Sequence, residues 1–156
     1  MIVLQDFPAD RFDEFQAVSI SEYALDLVAN RRMDEQVARR LASEGLSKAF
    51  PEGKSTEQNK LLSIVNKTEA GDIAIGSLWY ALHDDGSAFI MDFMVYADHR
   101  GKGYASKALE ALKSTLKAEG LTRVGLRVAP DNHAAIRAYD KAGFNVTGWN
   151  MSADLL

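Results

Sequence analysis

The sequence predicts an α+β (α/β) domain on a mixed sheet, antiparallel in its first part and parallel in its second. Three strand-like runs, "KLLSIVNK" (60–67), "DIAIGSLWYALH" (72–83) and "SAFIMDFMVY" (87–96), are separated by Thr68-Glu69-Ala70-Gly71 and Asp84-Asp85-Gly86. Those separators are turn chemistry, so the runs read as an antiparallel meander. The third run leads through a helical pattern into another strand-like run, "RVGLRVA" (123–129). Strand, crossover helix and strand form a right-handed unit, so 88–96 and 123–129 are expected to run parallel. No repeat, low-complexity tract or Pro/Gly/Ser linker interrupts residues 1–156, which predicts a single domain.

Each element has its own signal. "IVL" at 2–4 is a short strand candidate. From Ala9 to about Asn30, Phe15, Val18, Leu25 and Val28 fall on one helical face. A second helix starts with Asp34 as N-cap, turns Val37 and Leu41 inward, and stops before Pro51-Glu52-Gly53. After the meander, a helix from about Gly103 to Glu119 faces Ala105, Leu109, Leu112 and Leu116 inward and ends at Gly120. "NHAAIRAYDKAGF" (132–144) is a short helix ended by Gly143, and "NVTGWNM" a last strand, so about four helices flank the sheet.

Composition excludes several classes. A net charge of −4 argues against polyanionic partners, so no nucleic acid is expected. No apolar run approaches the ~18 residues of a membrane span, and "MIVLQDFPAD" lacks the regions of a secretory signal. With zero cysteines there is no disulfide framework and no cysteine nucleophile. His83, His99 and His133 have no metal-ligand spacing, and no metal is expected. A cytoplasmic protein is the default expectation.

The informative stretch is "MDFMVYADHRGKGYASKALEALK" (91–113), where an apolar strand meets a helix through Arg100-Gly101-Lys102-Gly103-Tyr104-Ala105. A helix N-terminus offers unpaired N–H groups and the positive end of the helix dipole. Glycines let backbone approach a ligand, and two cations add charge. The stretch is neither GxxxxGK(S/T) nor GxGxxG, because Ser106 holds the third glycine position. By itself it reads equally as an anion cradle or a tight turn.

The second half of a constellation lies downstream. Asn132, Ala135, Tyr139, Gly143 and Phe144 match Asn-x-x-Ala-x-x-x-Tyr-x-x-x-Gly-Phe, and Arg100-x-x-Gly103-x-Ala105 matches (Gln/Arg)-x-x-Gly-x-(Gly/Ala). Together they resemble the Gcn5-related N-acetyltransferase (GNAT) family, closely over residues 88 to 144. The resemblance implies acetyl-CoA as co-substrate, bound where the two parallel strands splay apart. By position, the pyrophosphate falls on the amides of Gly101, Lys102, Gly103, Tyr104, Ala105 and Ser106, beside Arg100. The pantetheine arm falls on the backbone of Phe93, Met94 and Val95, with Asn132 contacting it and Tyr139 pointing at the thioester sulfur. The residues alone leave Asn132 as a helix cap and Tyr139 as a core side chain.

The implied reaction is direct transfer of acetyl to a primary amine in a ternary complex. Met94 is the expected oxyanion donor, Tyr139 the acid, and Asp92 the only carboxylate on the strand before the cradle; strand alternation leaves its face open. The next parallel strand carries Arg127 where a carboxylate could stand. Glu22, Tyr23, Trp79 and Tyr80, with Phe50 and Asn59, are the expected acceptor wall. The acceptor is a small-molecule or protein amine, and a homodimer is compatible with the reading. A non-catalytic acyl-CoA-binding sensor or regulatory module is the competing function.

Overall fold

The computed structural model describes residues 1–155. Among them five strands form one sheet in sequence order: β1 (Ile2–Asp6), β2 (Asn59–Thr68), β3 (Gly71–Leu82), β4 (Ser87–Val95) and β5 (Arg123–Leu126). Four helices accompany them: α1 (Phe12–Arg31), α2 (Glu35–Ala49), α3 (Tyr104–Ala118) and α4 (His133–Lys141). The first four strands pair antiparallel, and β4 with β5 is parallel, as the meander and crossover signals predict.

Period-two alternation divides the sheet into two apolar faces. On one, Ile64, Leu78 and Ile90 pack against Leu109, Leu112 and Leu116 of α3. On the other, Leu61 and Trp79 pack against Phe12 and Phe15 of α1 and Leu46 and Phe50 at the end of α2. Asp34 caps α2 as expected, its carboxylate accepting from the N–H groups of Gln36 and Val37 at 3.0 and 3.2 Å.

Four expectations change. The first helix begins at Phe12, after a 3-10 turn over Ala9–Arg11, and buries Ser19, Ala24 and Leu27 with Phe12 and Phe15. Val18, Leu25 and Val28 are 39, 67 and 37% exposed. In α2, Ala38, Ala42 and Leu46 are buried while Leu41 is exposed. Small residues win the contact because α1 and α2 cross closely there, with Ala24, Leu27 and Ala38 in one cluster. The parallel pairing covers only Ser87–Ile90 against Arg123–Leu126, so the last strand-like residues of 123–129 are unpaired. Finally, 145–151 forms no strand; Val146, Trp149 and Met151 lie exposed.

One position fixes how closely β3 and β4 approach. A Cβ at Gly76 would collide with the Met94 carbonyl and lie 3.1 Å from Ile64 Cδ1. Gly76→Ala is expected to cost about 3 kcal/mol through this overpacking, measurable by urea unfolding. An unchanged midpoint would mean the two strands are not held this tightly.

Candidate active site

The site begins with a bulge in β4. Trp79 faces Asp92 and Tyr80 faces Ile90, so Met91 is an extra residue that reverses the alternation. Ile90 and Phe93 therefore pack on the α3 side, while Asp92 and Met94 turn toward α1. Pairing with β5 stops at Ile90–Leu126, yet β4 runs on to Val95. The two parallel strands part, leaving residues 91–95 with one free edge.

Ladder parity decides which backbone groups face that gap. Tyr96 N–H donates to the Ile75 carbonyl at 2.8 Å, and the Met94 carbonyl lies against Gly76. The polar groups of Met94 thus face β3, and those of Phe93 and Val95 face the gap. The Met94 N–H, expected as an oxyanion donor, is instead directed into the sheet. Arg100 is anchored at the same edge, its Nε donating to the Val95 carbonyl at 2.8 Å.

The gap leads into the Arg100–Ser106 loop. Gly101 and Gly103 have φ of 76° and 77°, the left-handed region that favours glycine. A Cβ at either would meet no protein atom within 4 Å, so backbone conformation rather than crowding selects glycine. Gly103 is the N-cap of α3; no side chain caps this end and the first turn holds no acidic residue. The amides of Tyr104, Ala105 and Ser106 are thereby left for an anion. Lys102 is exposed beside them, its Nζ 3.5 Å from the Asp98 carbonyl. The Tyr104 side chain turns away, its hydroxyl accepting from Asn66 Nδ2 at 3.3 Å; only its amide serves the loop.

Across the gap, α4 brings Tyr139 to β4. Its ring lies 6.3 Å from Phe93 and 5.7 Å from Phe144. Burial, with the charge of Asp92 nearby, pushes its phenol up to about 12. Asn132 caps α4, its Oδ1 accepting from Ala135 N–H at 3.3 Å, and is exposed. Asp92 is costly to bury as a charge. Its Oδ2 is buried without a hydrogen-bond partner among the described residues. Burial first and the charge of Glu22 second push its carboxyl up to about 6, against smaller help from the Phe93 N–H and the Ser19 hydroxyl. Asp92 thus faces α1, as its pairing with Trp79 and its neighbours Ser19 and Glu22 require.

The expected acceptor wall is only partly there. Glu22 is exposed on α1 and Tyr23 is 48% exposed. Trp79 is core: its Nε1 donates to Asn59 Oδ1 at 2.9 Å and its ring meets Phe50 at 5.0 Å. Tyr80 is buried on the α3 side and its phenol pushed up to about 12 by burial, then by Glu119. Instead, a cavity of about 130 Å³ opens beside Met94. Phe7, Phe15 and Val18 wall it, Ser77 of β3 contributes a hydroxyl, and Arg11, Glu14 and Tyr96 complete it. The helical spacing of 11, 14, 15 and 18 was the available signal. An interior-seeking stripe drawn through Val18 and Leu25 misread it, because Val18 lines a cavity rather than the core.

Residues 30–144 match the acetyltransferase (GNAT) family model. Among curated proteins, the chain is 31% identical over 157 residues to Bacillus subtilis YycN, covering 99% of each. It is 29% identical over 155 residues to YdgE of the same organism, covering 97% of each. Both are described as uncharacterized N-acetyltransferases. The crystal structure of YycN superposes with a TM-score of 0.87 at 30% identity, over 100% of this chain and 99% of that one. The aminoglycoside acetyltransferase AAC(6')-Ib, crystallised with coenzyme A and kanamycin, shares the fold with a TM-score of 0.61 at 20% identity, over 95% and 86% of the two chains.

Proposed function

The chain belongs to the GNAT acetyltransferase family, and on that premise we propose that the gap between β4 and β5 is where acetyl-CoA is held for direct transfer to a primary amine. The chain is an N-acetyltransferase. One observation carries the site assignment: β4 outruns its parallel partner and leads, through two left-handed glycines, into an uncapped helix N-terminus. Those residues fit the co-substrate. Amides at the start of α3, with Arg100 and Lys102, suit a diphosphate; the outward Phe93 C=O suits an amide-bearing arm, the Val95 C=O being held by Arg100 Nε. When bound, acetyl-CoA supplies an acetyl group already activated as a thioester.

The chain's own residues then divide the work. A lysine-like amine of pKa ~10.4 is neutral in roughly one molecule in 2,500 at pH 7, a cost of about 4.6 kcal/mol. Asp92, charged above about pH 6, takes the proton that the amine sheds and passes it to water. The Val95 N–H faces the gap, where an oxygen gaining negative charge would sit, while the Phe93 N–H is drawn to Asp92. Asn132 holds the first turn of α4, and through it the approach of Tyr139. Tyr139 keeps its proton on Oη, because its phenol sits near 12 while a thiol sits near ~8.5. It therefore stabilises the departing sulfur with a hydrogen bond, and water supplies the proton that remains there. The amine nitrogen gains the acetyl carbon, and the carbon–sulfur bond breaks with its electron pair on sulfur.

Tyr139→Phe tests this arrangement. Loss of a hydrogen bond to a charged sulfur should lower kcat by about 10- to 100-fold, with acetyl-CoA affinity within about 3-fold by calorimetry. An unchanged kcat would remove Tyr139 from the reaction.

A further inference from the structure

We propose that the acceptor is a small amino acid with an apolar side chain, and that Arg11 recognises its carboxylate; this deepens the acetyl-transfer reading and rests on it. The cavity beside Met94 is the observation that carries the proposal. Met94 follows Asp92 by two residues on the same strand face, about 7 Å along β4, so the cavity that Met94 lines is within reach of the substituents of an amine placed near Asp92. At about 130 Å³ it lies below the roughly 300 Å³ at which pockets for drug-sized ligands begin. It therefore suits an amino-acid side chain and not a multi-ring acceptor. Its walls, Phe7, Phe15, Val18 and Met94, are apolar.

Arg11 sets the charge of the ligand. Its guanidinium carbon stands 6.0 Å from the Phe7 ring and 5.8 Å from the Tyr96 ring, two aromatic contacts that hold the side chain at the cavity. Its side chain is 34% exposed. Its ion pair runs through Nε to Glu14 Oε2 at 3.3 Å, and Glu14 is itself 68% exposed and solvated. The two Nη nitrogens form no ion pair among the described residues; beside Glu14 the guanidinium meets only the Tyr96 hydroxyl, a neutral partner that a carboxylate displaces, and a fork of donors in fixed orientation is the geometry that a carboxylate matches. A polyamine or aminoglycoside would bring a second cation against this guanidinium. A plain alkylamine would fill the apolar walls and leave the guanidinium without a ligand. An amino acid satisfies both ends, with its nitrogen free for Asp92.

The test compares amino acids with their decarboxylated amines: leucine with isoamylamine, and phenylalanine with phenethylamine. Acetyl-CoA-dependent release of CoA thiol is followed, alongside calorimetric binding of acetyl-CoA. Wild-type kcat/KM should favour the amino acid of each pair by about 10- to 100-fold, the worth of a charge-assisted hydrogen bond. Arg11→Gln should abolish that preference by lowering only the amino-acid rate, with acetyl-CoA affinity unchanged and the melting temperature lowered by no more than a few degrees through the lost ring contacts. Arg11→Lys should restore part of it. Equal or reversed preference in the wild type, or equal loss on both substrates in Arg11→Gln, overturns the proposal. So does silence with every member of the panel while acetyl-CoA still binds, which leaves the cofactor reading standing. Failure of acetyl-CoA to bind overturns both.

Discussion

Asp92→Asn is expected to lower turnover by about 10²- to 10³-fold, the range of a lost general base, and to raise the melting temperature of the same protein. The second effect follows from the first group's position. Burial and Glu22 hold the carboxyl at about 6 in the folded chain, against its ordinary 3.8. Between those two pH values the folded protein binds a proton that the unfolded chain has already lost. Stability from this group is therefore complete below about pH 4 and is lost as pH rises through about 6. At pH 7.5 the charged carboxylate costs the fold roughly 3 kcal/mol, at about 1.4 kcal/mol per pH unit. Asparagine is nearly isosteric and uncharged, and Ser19 stands close enough to serve its amide. For a domain of this size, each recovered kcal/mol is worth about 2–4 °C. Melts at pH 4 and 7.5 should show the gain only at the higher pH. In activity, the wild-type kcat/KM should climb through about pH 6 and the variant should lack that limb. A variant that keeps its activity, or melts lower at pH 7.5, would make Asp92 a structural residue.

That pairing of cost and use explains why Asp92 is where reading from sequence stops. The motif residues were legible because each is a local demand. Glycine at 101 and 103 answers a left-handed φ, Asn132 answers a helix cap, and the crossover pattern requires a parallel β4 and β5. Their sense can be judged within a few residues of chain. The face of Asp92 and the use of the Met94 amide depend instead on Met91, a single inserted residue visible only once Trp79 and Tyr80 are paired with β4. One such slip exchanges the two sides of a strand. That is why the Met94 N–H, expected at the gap, points into the sheet instead.

The same distinction separates the helices. Asp34 was read correctly as a cap from its own turn. The buried stripe of α1 was not, because its neighbours decide it. Ala38 of α2 admits Ala24 and Leu27, whereas Val18 meets a cavity. Leu25, identical in kind to the buried Leu27, stays 67% exposed. The expected acceptor residues divide for a related reason. Trp79 and Tyr80 are adjacent in sequence and face opposite layers, so no choice of aromatic residues along one strand could have outlined the cavity.

Gly103→Glu is expected to remove acetyl-CoA binding while leaving the fold nearly as stable as before, and the two outcomes have one cause. Gly103 sits at φ 77° as the N-cap of α3, so a side chain there carries left-handed strain of roughly 1–2 kcal/mol. A carboxylate at a helix N-terminus recovers about 0.3–1 kcal/mol from the dipole and the uncapped amides. No protein atom lies within 4 Å of the new Cβ, so nothing must move. The stability change should therefore stay near 1 kcal/mol, by that difference. The carboxylate, however, occupies the donors that a diphosphate needs and faces it with like charge. At about 6 Å and an effective dielectric near 20, each such pair of charges opposes binding by about 3 kcal/mol, or more than 100-fold in affinity. Gly103→Asn separates the causes, since asparagine tolerates the left-handed region and adds no charge. It should weaken binding by no more than about 10-fold, the share of steric crowding without repulsion. Calorimetry with acetyl-CoA, beside urea unfolding of both variants, reads each quantity directly. If Gly103→Glu binds acetyl-CoA normally, the loop is only a turn, and the gap between β4 and β5 loses its cofactor.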